Sequence, residues 1–179
     1  MIALDRMSDD DARAALTRCC GARAWVDAML AARPFGSAEA AMSAARKSFS
    51  EMEDADHLEA FSHHPRIGED LGELRKRFAG TASLSEREQA SVSAASEETL
   101  EALREINRAY FERYGFIFIV CASGKTADEM LGLCRARMNH GRDEELRIAA
   151  AEQIQIAELR LAALLTDERP THERPTEEP

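Results

Sequence analysis

Proline is scarce in the body of this chain of 179 residues, since only Pro34 and Pro65 precede the last ten residues. Without proline, long windows remain in which helices can run uninterrupted. Long apolar runs are missing as well, because Arg or Glu interrupts every stretch before it reaches the ~20 residues of a membrane span. No basic region followed by an apolar one stands near the N-terminus, so the sequence predicts no secretory signal.

Basic residues are outnumbered by acidic ones, since the chain has 23 Lys and Arg residues and 33 Asp and Glu residues, which gives a net charge of −10. This balance argues against nucleic acid as a partner, because phosphates attract basic patches. With 45% hydrophobic and 31% charged residues, the composition is that of a soluble globular protein. The length fits one domain with a hydrophobic core of ordinary size.

Cofactor motifs are absent from the sequence. There is no Gly-rich phosphate loop, and nothing in the chain matches a dinucleotide, pyridoxal or thiamine motif. The four cysteines, at positions 19, 20, 121 and 134, include no Cys-x-x-Cys pair. We therefore expect buried free thiols in a reducing cytoplasm, and no zinc ligation.

Capping residues and glycines divide the chain into about eight or nine predicted helices. Ser8 and Ser37 are suited to begin two of them. Thr126-x-x-Glu129 is a capping box for another, and Gly115 stops the longest one. The predicted ranges are 9–20, 22–33, 38–52, 54–63, 70–79, a helix from 85, 97–114, 127–140 and 143–165.

One segment breaks the helical pattern. Phe116-Ile117-Phe118-Ile119-Val120 is aromatic and β-branched, which favours a strand. A single strand has no partner here, so we expect buried extended chain inside an all-α domain. The sequence thus predicts one compact multi-helix domain over residues 1–165 and a polar, proline-punctuated, disordered tail over residues 166–179.

The segment Phe61-Ser62-His63-His64-Pro65-Arg66-Ile67-Gly68-Glu69 is the most informative part of the chain. The residue before a proline is disfavoured in the α conformation, so His64 should leave the end of a helix in an extended geometry. Because histidine titrates near neutral pH, one that is held on such a loop suits a general acid or base. The segment is also consistent with a helix terminator that carries a surface histidine.

Six motifs follow one another along the chain. They are Cys19-Cys20-Gly21, Trp25, Arg33-Pro34-Phe35, His64-Pro65-Arg66-Ile67-Gly68-Glu69, Ser85-Glu86-Arg87-Glu88-Gln89, and Tyr110 to Gly115-Phe116-Ile117-Phe118-Ile119. Their order resembles the OHCU decarboxylase family, which converts 2-oxo-4-hydroxy-4-carboxy-5-ureidoimidazoline to (S)-allantoin in urate breakdown. The likeness extends from the first predicted helix to Leu165, nearly the whole chain.

The resemblance implies an all-α carboxy-lyase that acts on a small polar anion, as a homodimer. Because the chain ends in Glu-Glu-Pro and not in the peroxisomal signal Ser-Lys-Leu, we expect a cytoplasmic location. The resemblance implies no cofactor, because the ring imine beside the carboxylated carbon of the substrate can accept the electron pair that departing carbon dioxide leaves. The protein then has to bind the substrate, hold its carboxylate out of the ring plane, and move protons.

The resemblance also assigns the site residues. It implies that His64 transfers a proton and that Glu88 orients His64 or handles the proton of the substrate hydroxyl. Arg137 is the implied partner of a substrate carboxylate or carbonyl. The implied substrate-binding residues are Pro65, Ser85, Glu86, Arg87, Gln89, Ile119, Val120, Cys121, Ala122 and Ser123. No metal ligand is implied.

The chain departs from the family pattern at two places. Ile117 stands where a proline is usual, which we interpret as a local change in stiffness. His140 stands where an asparagine is usual, in the motif that contains Arg137. The register of that motif is therefore open, and Arg135 is an alternative substrate contact.

Three other interpretations stay open at the level of sequence. Ser85-x-x-Glu88 is itself a capping box, which needs no catalytic role. The helices could form a binding or regulatory module in which His64 is structural. His63, His64 and Glu69 could belong to a metal hydrolase, although adjacent histidines seldom ligate one ion and no His-x-x-x-His spacing occurs.

Overall fold

The computed structural model describes residues 2–64, 72 and 97–166. Within these residues the chain forms eight α-helices and no strand, which confirms the all-α prediction. The helices are α1 (Ala3–Arg6), α2 (Asp9–Cys19), α3 (Arg23–Ala31), α4 (Ala38–Ser50), α5 (Asp54–Ser62), α6 (Glu97–Tyr114), α7 (Ala127–Arg137) and α8 (Arg142–Thr166). The helix predicted from Ser85, most of the one over 70–79, and residues 167–179 of the tail lie outside the described residues. The domain limit at residue 165 stays a prediction.

Side-chain caps begin the helices where the sequence predicts them. Ser8 and Ser37 each accept a hydrogen bond at 3.1 Å from the backbone N–H three residues further on. At α7 the capping box is complete, because Thr126 Oγ1 accepts from the Glu129 N–H at 3.2 Å and Glu129 Oε2 accepts from the Thr126 N–H at 2.7 Å. These bonds satisfy backbone donors that have no partner inside the helix.

The ends of two helices show how far local signals determine the fold. α6 ends at Tyr114, as predicted, and the next residue, Gly115, has φ of +77°, a conformation that favours glycine. α7 ends at Arg137, earlier than the predicted end at His140. There the chain continues as a tight turn, in which the His140 N–H donates to the Arg137 carbonyl at 3.2 Å.

The longest helix, α8, forms the centre of the fold, since α1, α2, α4 and α5 all pack against it. α6 and α7 pack against each other, and α3 packs against α2, α4 and α5. Trp25 on α3 is fully buried, and its Nε1 donates to the Ala45 carbonyl at 3.0 Å. This bond gives the indole N–H a partner inside the core and joins α3 to α4.

The stretch from Phe116 to Cys121 belongs to no helix and is largely buried, which confirms that part of the prediction. The rings of Phe116 and Phe118 each form an edge-to-face pair with the Tyr110 ring, with centroid distances of 5.9 and 5.3 Å. The aromatic side chains therefore anchor the stretch to α6. Its main chain is bound by charged side chains, so it stays in the core without a strand partner among the described residues.

All four cysteines are buried and free, as predicted. Burial raises the pKa of Cys19 to about 11 and that of Cys134 to about 12, so both remain protonated thiols at neutral pH. Among the helices of the described ranges, none has the length and apolar content that a membrane span requires.

Candidate active site

A pocket of about 410 Å³ lies between the end of α5, the irregular stretch after α6, and α8. Its volume suits a small-molecule ligand. The described residues that line it are His64, Ile117, Phe118, Ile119, Val120, Cys121, Ala122, Ser123, Ile156, Leu159 and Arg160. The pocket therefore brings His64 together with Ile119–Ser123, which we call the pocket-wall segment.

His64 lies two residues beyond the end of α5 and is half-buried. Its N–H donates to the Phe61 carbonyl at 3.1 Å, so the chain completes one more turn after the helix. Phe61 is buried, and its ring packs against that of Phe116 with a centroid distance of 5.5 Å. The end of the helix that carries His64 is thereby fixed to the core.

The neighbouring histidine, His63, has a different environment. It is exposed at the C-terminal end of α5, and its ring packs against Gly21. A Cβ built on Gly21 would lie 2.5 Å from the Cβ of His63, a distance that real side chains do not adopt. His63 is not among the described residues that line the pocket. Of the two adjacent histidines, His64 is the one at the candidate site.

Three charged side chains bind the main chain of the pocket-wall segment. Arg137 Nη1 donates to the Ile119 carbonyl at 2.8 Å. The Cys121 N–H donates to Glu152 Oε2 at 2.7 Å, and Lys125 Nζ donates to the Cys121 carbonyl at 2.6 Å. Hydrogen bonds with an ionised partner are about twice as strong as neutral ones. The conformation of the segment is therefore fixed before any ligand binds.

Arg137 is 7% exposed and forms an ion pair with Glu145, which is completely buried. Its Nε lies 2.5 Å from Glu145 Oε1, the hydroxyl of Tyr110 also donates to that oxygen, and His140 Nδ1 lies 2.8 Å from Oε2. Burial, reinforced by the bond to Glu145, raises the pKa of Tyr110 far above its ordinary value. Several partners thus compensate the cost of burying the carboxylate.

This network changes the interpretation of Arg137. Its guanidinium reaches the pocket-wall segment through the Ile119 carbonyl, and Arg137 is not among the described residues that line the pocket. The exposed Arg135 is not among them either. Direct binding of a substrate carboxylate by Arg137 or Arg135 stays a prediction.

Arg160 lines the pocket and is missing from the site predicted by the sequence. Its Nη1 donates to the carbonyls of Arg18 and Cys19, at 3.2 and 3.4 Å, at the C-terminal end of α2. Among the described lining residues it is the one Lys or Arg. The signal in the sequence is weak, because an arginine on an amphipathic helix is usually solvated.

The remaining predicted site residues lie outside the described part of the chain. They are Pro65, Ser85, Glu86, Arg87, Glu88 and Gln89. Their roles stay predictions, including that of Glu88 as the partner of His64. Glu69, the third residue of the hydrolase interpretation, also lies outside. Within residues 2–64 and 97–166, no three His, Cys, Asp or Glu side chains are grouped so that they could hold a metal ion.

Sequence comparison finds relatives over most of the chain. A profile described as OHCU decarboxylase matches residues 5–162. The uric acid degradation bifunctional protein TTL of Arabidopsis thaliana is 39% identical over 149 residues, which is 83% of this chain and 46% of that protein. The 2-oxo-4-hydroxy-4-carboxy-5-ureidoimidazoline decarboxylase of Haloferax volcanii is 27% identical over 166 residues, 92% of this chain and 95% of that protein. The chain thus spans about half the length of the Arabidopsis protein and nearly all of the Haloferax protein.

Solved structures are also similar to this chain, and two of them are informative. The crystal structure of OHCU decarboxylase in the presence of (S)-allantoin matches with a TM-score of 0.71 and 34% identity, over 90% of this chain and 100% of that chain. The crystal structure of (S)-allantoin synthase matches with a TM-score of 0.62 and 18% identity, over 89% of this chain and 52% of that chain. At that identity, the second likeness shows the fold alone.

Proposed function

The chain belongs to the OHCU decarboxylase family, and from this membership we propose that it is a cofactor-free carboxy-lyase that converts 2-oxo-4-hydroxy-4-carboxy-5-ureidoimidazoline to (S)-allantoin in urate degradation. The observation that carries the proposal is the pocket, because it contains both His64 and the pocket-wall segment. The family resemblance predicts these two distant parts of the sequence as parts of one site. The volume of about 410 Å³ has room for a ureidoimidazoline.

The proposed reaction needs binding and proton transfer from the protein. The bond between the ring carbon and the carboxylate breaks, carbon dioxide leaves, and the electron pair enters the adjacent imine, whose nitrogen takes up a proton. The resulting enol returns to the carbonyl form when a proton reaches the carbon that bears the ureido group. The face on which that proton arrives fixes the S configuration.

His64 is the proposed donor of the stereochemically decisive proton. It lines the pocket, and a histidine can exchange a proton near neutral pH. Glu88 is proposed to orient His64 or to accept the proton of the substrate hydroxyl, which the family resemblance supports. The other residues proposed to bind the substrate are Pro65, Ser85, Glu86, Arg87, Gln89 and Ile119–Ser123.

We propose Arg160 as the group that binds the substrate carboxylate. It lines the pocket with His64, and a planar guanidinium can bind both oxygens of a carboxylate. The alternative is direct contact with Arg137. Arg137 already donates from Nη1 to the Ile119 carbonyl and pairs with the buried Glu145, and it is not among the described residues that line the pocket.

The family resemblance also supports a cytoplasmic homodimer with no nucleic-acid or membrane partner. The net charge of −10 is consistent with the exclusion of nucleic acid. Sedimentation equilibrium of the purified chain tests the dimer, and a monomer mass at micromolar concentration contradicts it.

Turnover can be tested by oxidising urate enzymatically in the presence of the protein and a chelator. The oxidation supplies the unstable substrate, and circular dichroism follows the optically active product. We expect the signal of (S)-allantoin to rise faster with the protein than without it, because uncatalysed decay gives the racemate. Racemic product at the spontaneous rate contradicts the proposed function.

The same assay tests His64 through a pair of adjacent substitutions. His64→Asn should remove most of the acceleration, since a general acid or base commonly supplies ~10²–10⁴-fold in rate. His63→Asn is the matched control, because His63 is exposed and lies outside the described pocket lining. Wild-type activity of His64→Asn, with the helical signal intact, excludes the proposed role of His64.

A further inference from the structure

Three large apolar side chains of the described pocket lining are only partly buried or exposed. They are Ile117, Ile156 and Leu159, which we call the apolar lining. Ile117 and Ile156 also pack against the hydrophobic core, so their positions are fixed before a ligand binds. Residues three and four apart lie on the same face of a helix, so Ile156 and Leu159 share one face of α8 with Arg160.

Leu159 is the most accessible member of the apolar lining. It is 54% exposed, and the other large apolar side chain that is exposed among the described residues is Leu133 on α7. Leu133 is not among the described residues that line the pocket. A single exposed leucine is common on a protein surface, whereas one that lines a cavity with other apolar side chains is typical of a ligand-binding site.

The proposed substrate offers nothing complementary to these three side chains. Its ring carries a hydroxyl, a carboxylate and a ureido group, all of which are polar. The proposed mechanism accordingly gives the apolar lining no task. An alkyl substituent on the ligand would remove apolar surface from water on both sides of the contact, which favours binding.

We propose that the apolar lining binds an alkyl group on the ring nitrogen next to the carboxylated carbon, so that the pocket accepts N-alkylated ureidoimidazolines. Arg160 is the proposed partner of the carboxylate, and Ile156 and Leu159 lie on the same face of α8. The substituent should therefore branch from the ring close to the carboxylate. The inference rests on the proposed function, including the proposed role of Arg160.

The chemistry of the substrate selects the same ring position. The hydroxyl on the carboxylated carbon has to lose its proton, so an alkyl group there would block the reaction. The nitrogen on the other side of that carbon is not the imine that accepts the electron pair. Alkylation of this nitrogen therefore leaves the broken bond, the electron sink and the protonated carbon unchanged.

A pair of stable ring carboxylates tests the apolar lining without any turnover. 2-Oxoimidazolidine-4-carboxylate has the ring and the carboxylate of the substrate but no imine to accept electrons. Its 3-methyl and 3-propyl derivatives carry the alkyl group on the nitrogen next to the carboxylated carbon. Ligand-observed NMR on the full chain gives both dissociation constants. We expect the propyl derivative to bind about 10-fold more tightly, because two more methylene groups leave water.

The opposite results are equally clear. Equal affinities, tighter binding of the methyl derivative, or binding of neither derivative overturn the proposed apolar lining.

A matched pair of substitutions tests Leu159 itself. Leu159→Ser removes an exposed apolar side chain from the lining and should reduce the preference for the propyl derivative to roughly 3-fold. Leu133→Ser is the same change at the other exposed leucine and should keep the wild-type ratio. A merely structural Leu159 would change both affinities together. A wild-type ratio in Leu159→Ser therefore overturns the role of Leu159 in the lining.

The two proposals can fail separately. If the wild-type protein forms (S)-allantoin but binds both derivatives equally, the apolar lining is overturned and the proposed function stands. If it prefers the propyl derivative but leaves the allantoin racemic, the apolar lining is supported and the proposed function is overturned.

Discussion

The two arginines near the pocket differ in what surrounds their guanidinium groups. Arg137 is 7% exposed and pairs with the fully buried Glu145. Arg160 is exposed on the surface of α8 and donates to carbonyls at the end of α2, with no ion pair to a described carboxylate. Removing one member of a buried pair leaves an uncompensated charge in the interior, whereas an exposed arginine has no such charge to leave behind.

Substitution by methionine should therefore affect stability at Arg137 and substrate binding at Arg160. Arg137→Met should lower the free energy of unfolding by ~3–5 kcal/mol, because Glu145 then lacks its ion-pair partner. Arg160→Met should change it by less than ~1 kcal/mol but raise the KM for the substrate. Urea denaturation and steady-state kinetics measure the two effects. If Arg137→Met instead keeps full stability and loses only substrate affinity, then Arg137 contacts the substrate directly.

Glu88→Gln distinguishes a structural role of the Ser85-x-x-Glu88 motif, as a capping box, from a catalytic role of Glu88. Glutamine can still bind the backbone N–H of the cap residue, so a purely structural capping box should lose no more than ~1 kcal/mol. It cannot ionise, so it cannot act as a base or hold a protonated His64 by charge. We expect most of the turnover to be lost, while the melting temperature changes little. Wild-type turnover with unchanged stability would leave His64 without its predicted partner.

At the scale of helices, the contact between the turn after α2 and the end of α5 depends on the absence of one Cβ. Gly21 follows α2 and is buried, and the ring of His63 at the end of α5 lies against it. The atoms that a new Cβ would meet include the Cβ of His63, which cannot move away by rotation of the side chain. Any side chain at position 21 must therefore displace the end of α5, and His64 with it.

Gly21→Ala should accordingly destabilise the protein and reduce turnover together. We expect a loss of ~1–3 kcal/mol in the free energy of unfolding, which is typical of an extra carbon in a packed site. The double variant Gly21→Ala with His63→Gly should recover part of it, because glycine at position 63 removes both the Cβ and the ring that the new Cβ would meet. A double-mutant cycle by urea denaturation gives the coupling. Additive effects of the two substitutions contradict the proposed contact.

Helices with strong local signals could be predicted from the sequence, almost to the residue. Ser8 and Ser37 cap α2 and α4, and the predicted range of α6 is the observed one, Glu97–Tyr114. These signals act within one turn of the chain, through a side-chain cap or through the positive φ of Gly115. The propensity of Phe116–Val120 for a strand is overridden by its burial against α6.

Features that depend on contacts between distant elements could not be predicted in this way. The buried face of α8 includes the fully buried Glu145, which local sequence does not mark as a core residue, because its partners Tyr110 and Arg137 lie on other helices. The role of Arg137 in that core could not be predicted from local sequence for the same reason. The position of Arg160 in the same pocket as His64 depends on how α8 packs against α5, which no local pattern encodes.

At the scale of the whole molecule, the sequence predicts that the last residues add nothing to the fold or the site. Residues 167–179 have almost no apolar side chains to bury. A chain that ends at Thr166 should keep the melting temperature and the rate of (S)-allantoin formation of the full chain. Calorimetry and the urate oxidation assay check both. A large fall in the melting temperature would mean that the tail packs on the domain.

The stability of the whole molecule should also depend on pH, through His57. Its ring lies against that of Phe49 with a centroid distance of 4.9 Å, and its Nδ1 is buried with no hydrogen-bond partner among the residues described. Burial lowers the pKa of His57 below the ordinary value of 6.5, against the opposing effect of Asp54 and Asp56. Burial disfavours the charged imidazolium, and the unfolded chain does not experience this penalty.

Because the pKa of His57 is lower in the folded state, the unfolded chain binds more protons between that value and 6.5. The free energy of unfolding should therefore fall as the pH is lowered through this window and reach its plateau above it. His57→Phe keeps an aromatic ring against Phe49 without a titrating group, so it should flatten the dependence. Urea denaturation between about pH 5 and pH 7.5 measures the slope, and the exposed His63→Asn should retain it. Equal slopes in the wild type and His57→Phe would assign the dependence to another group.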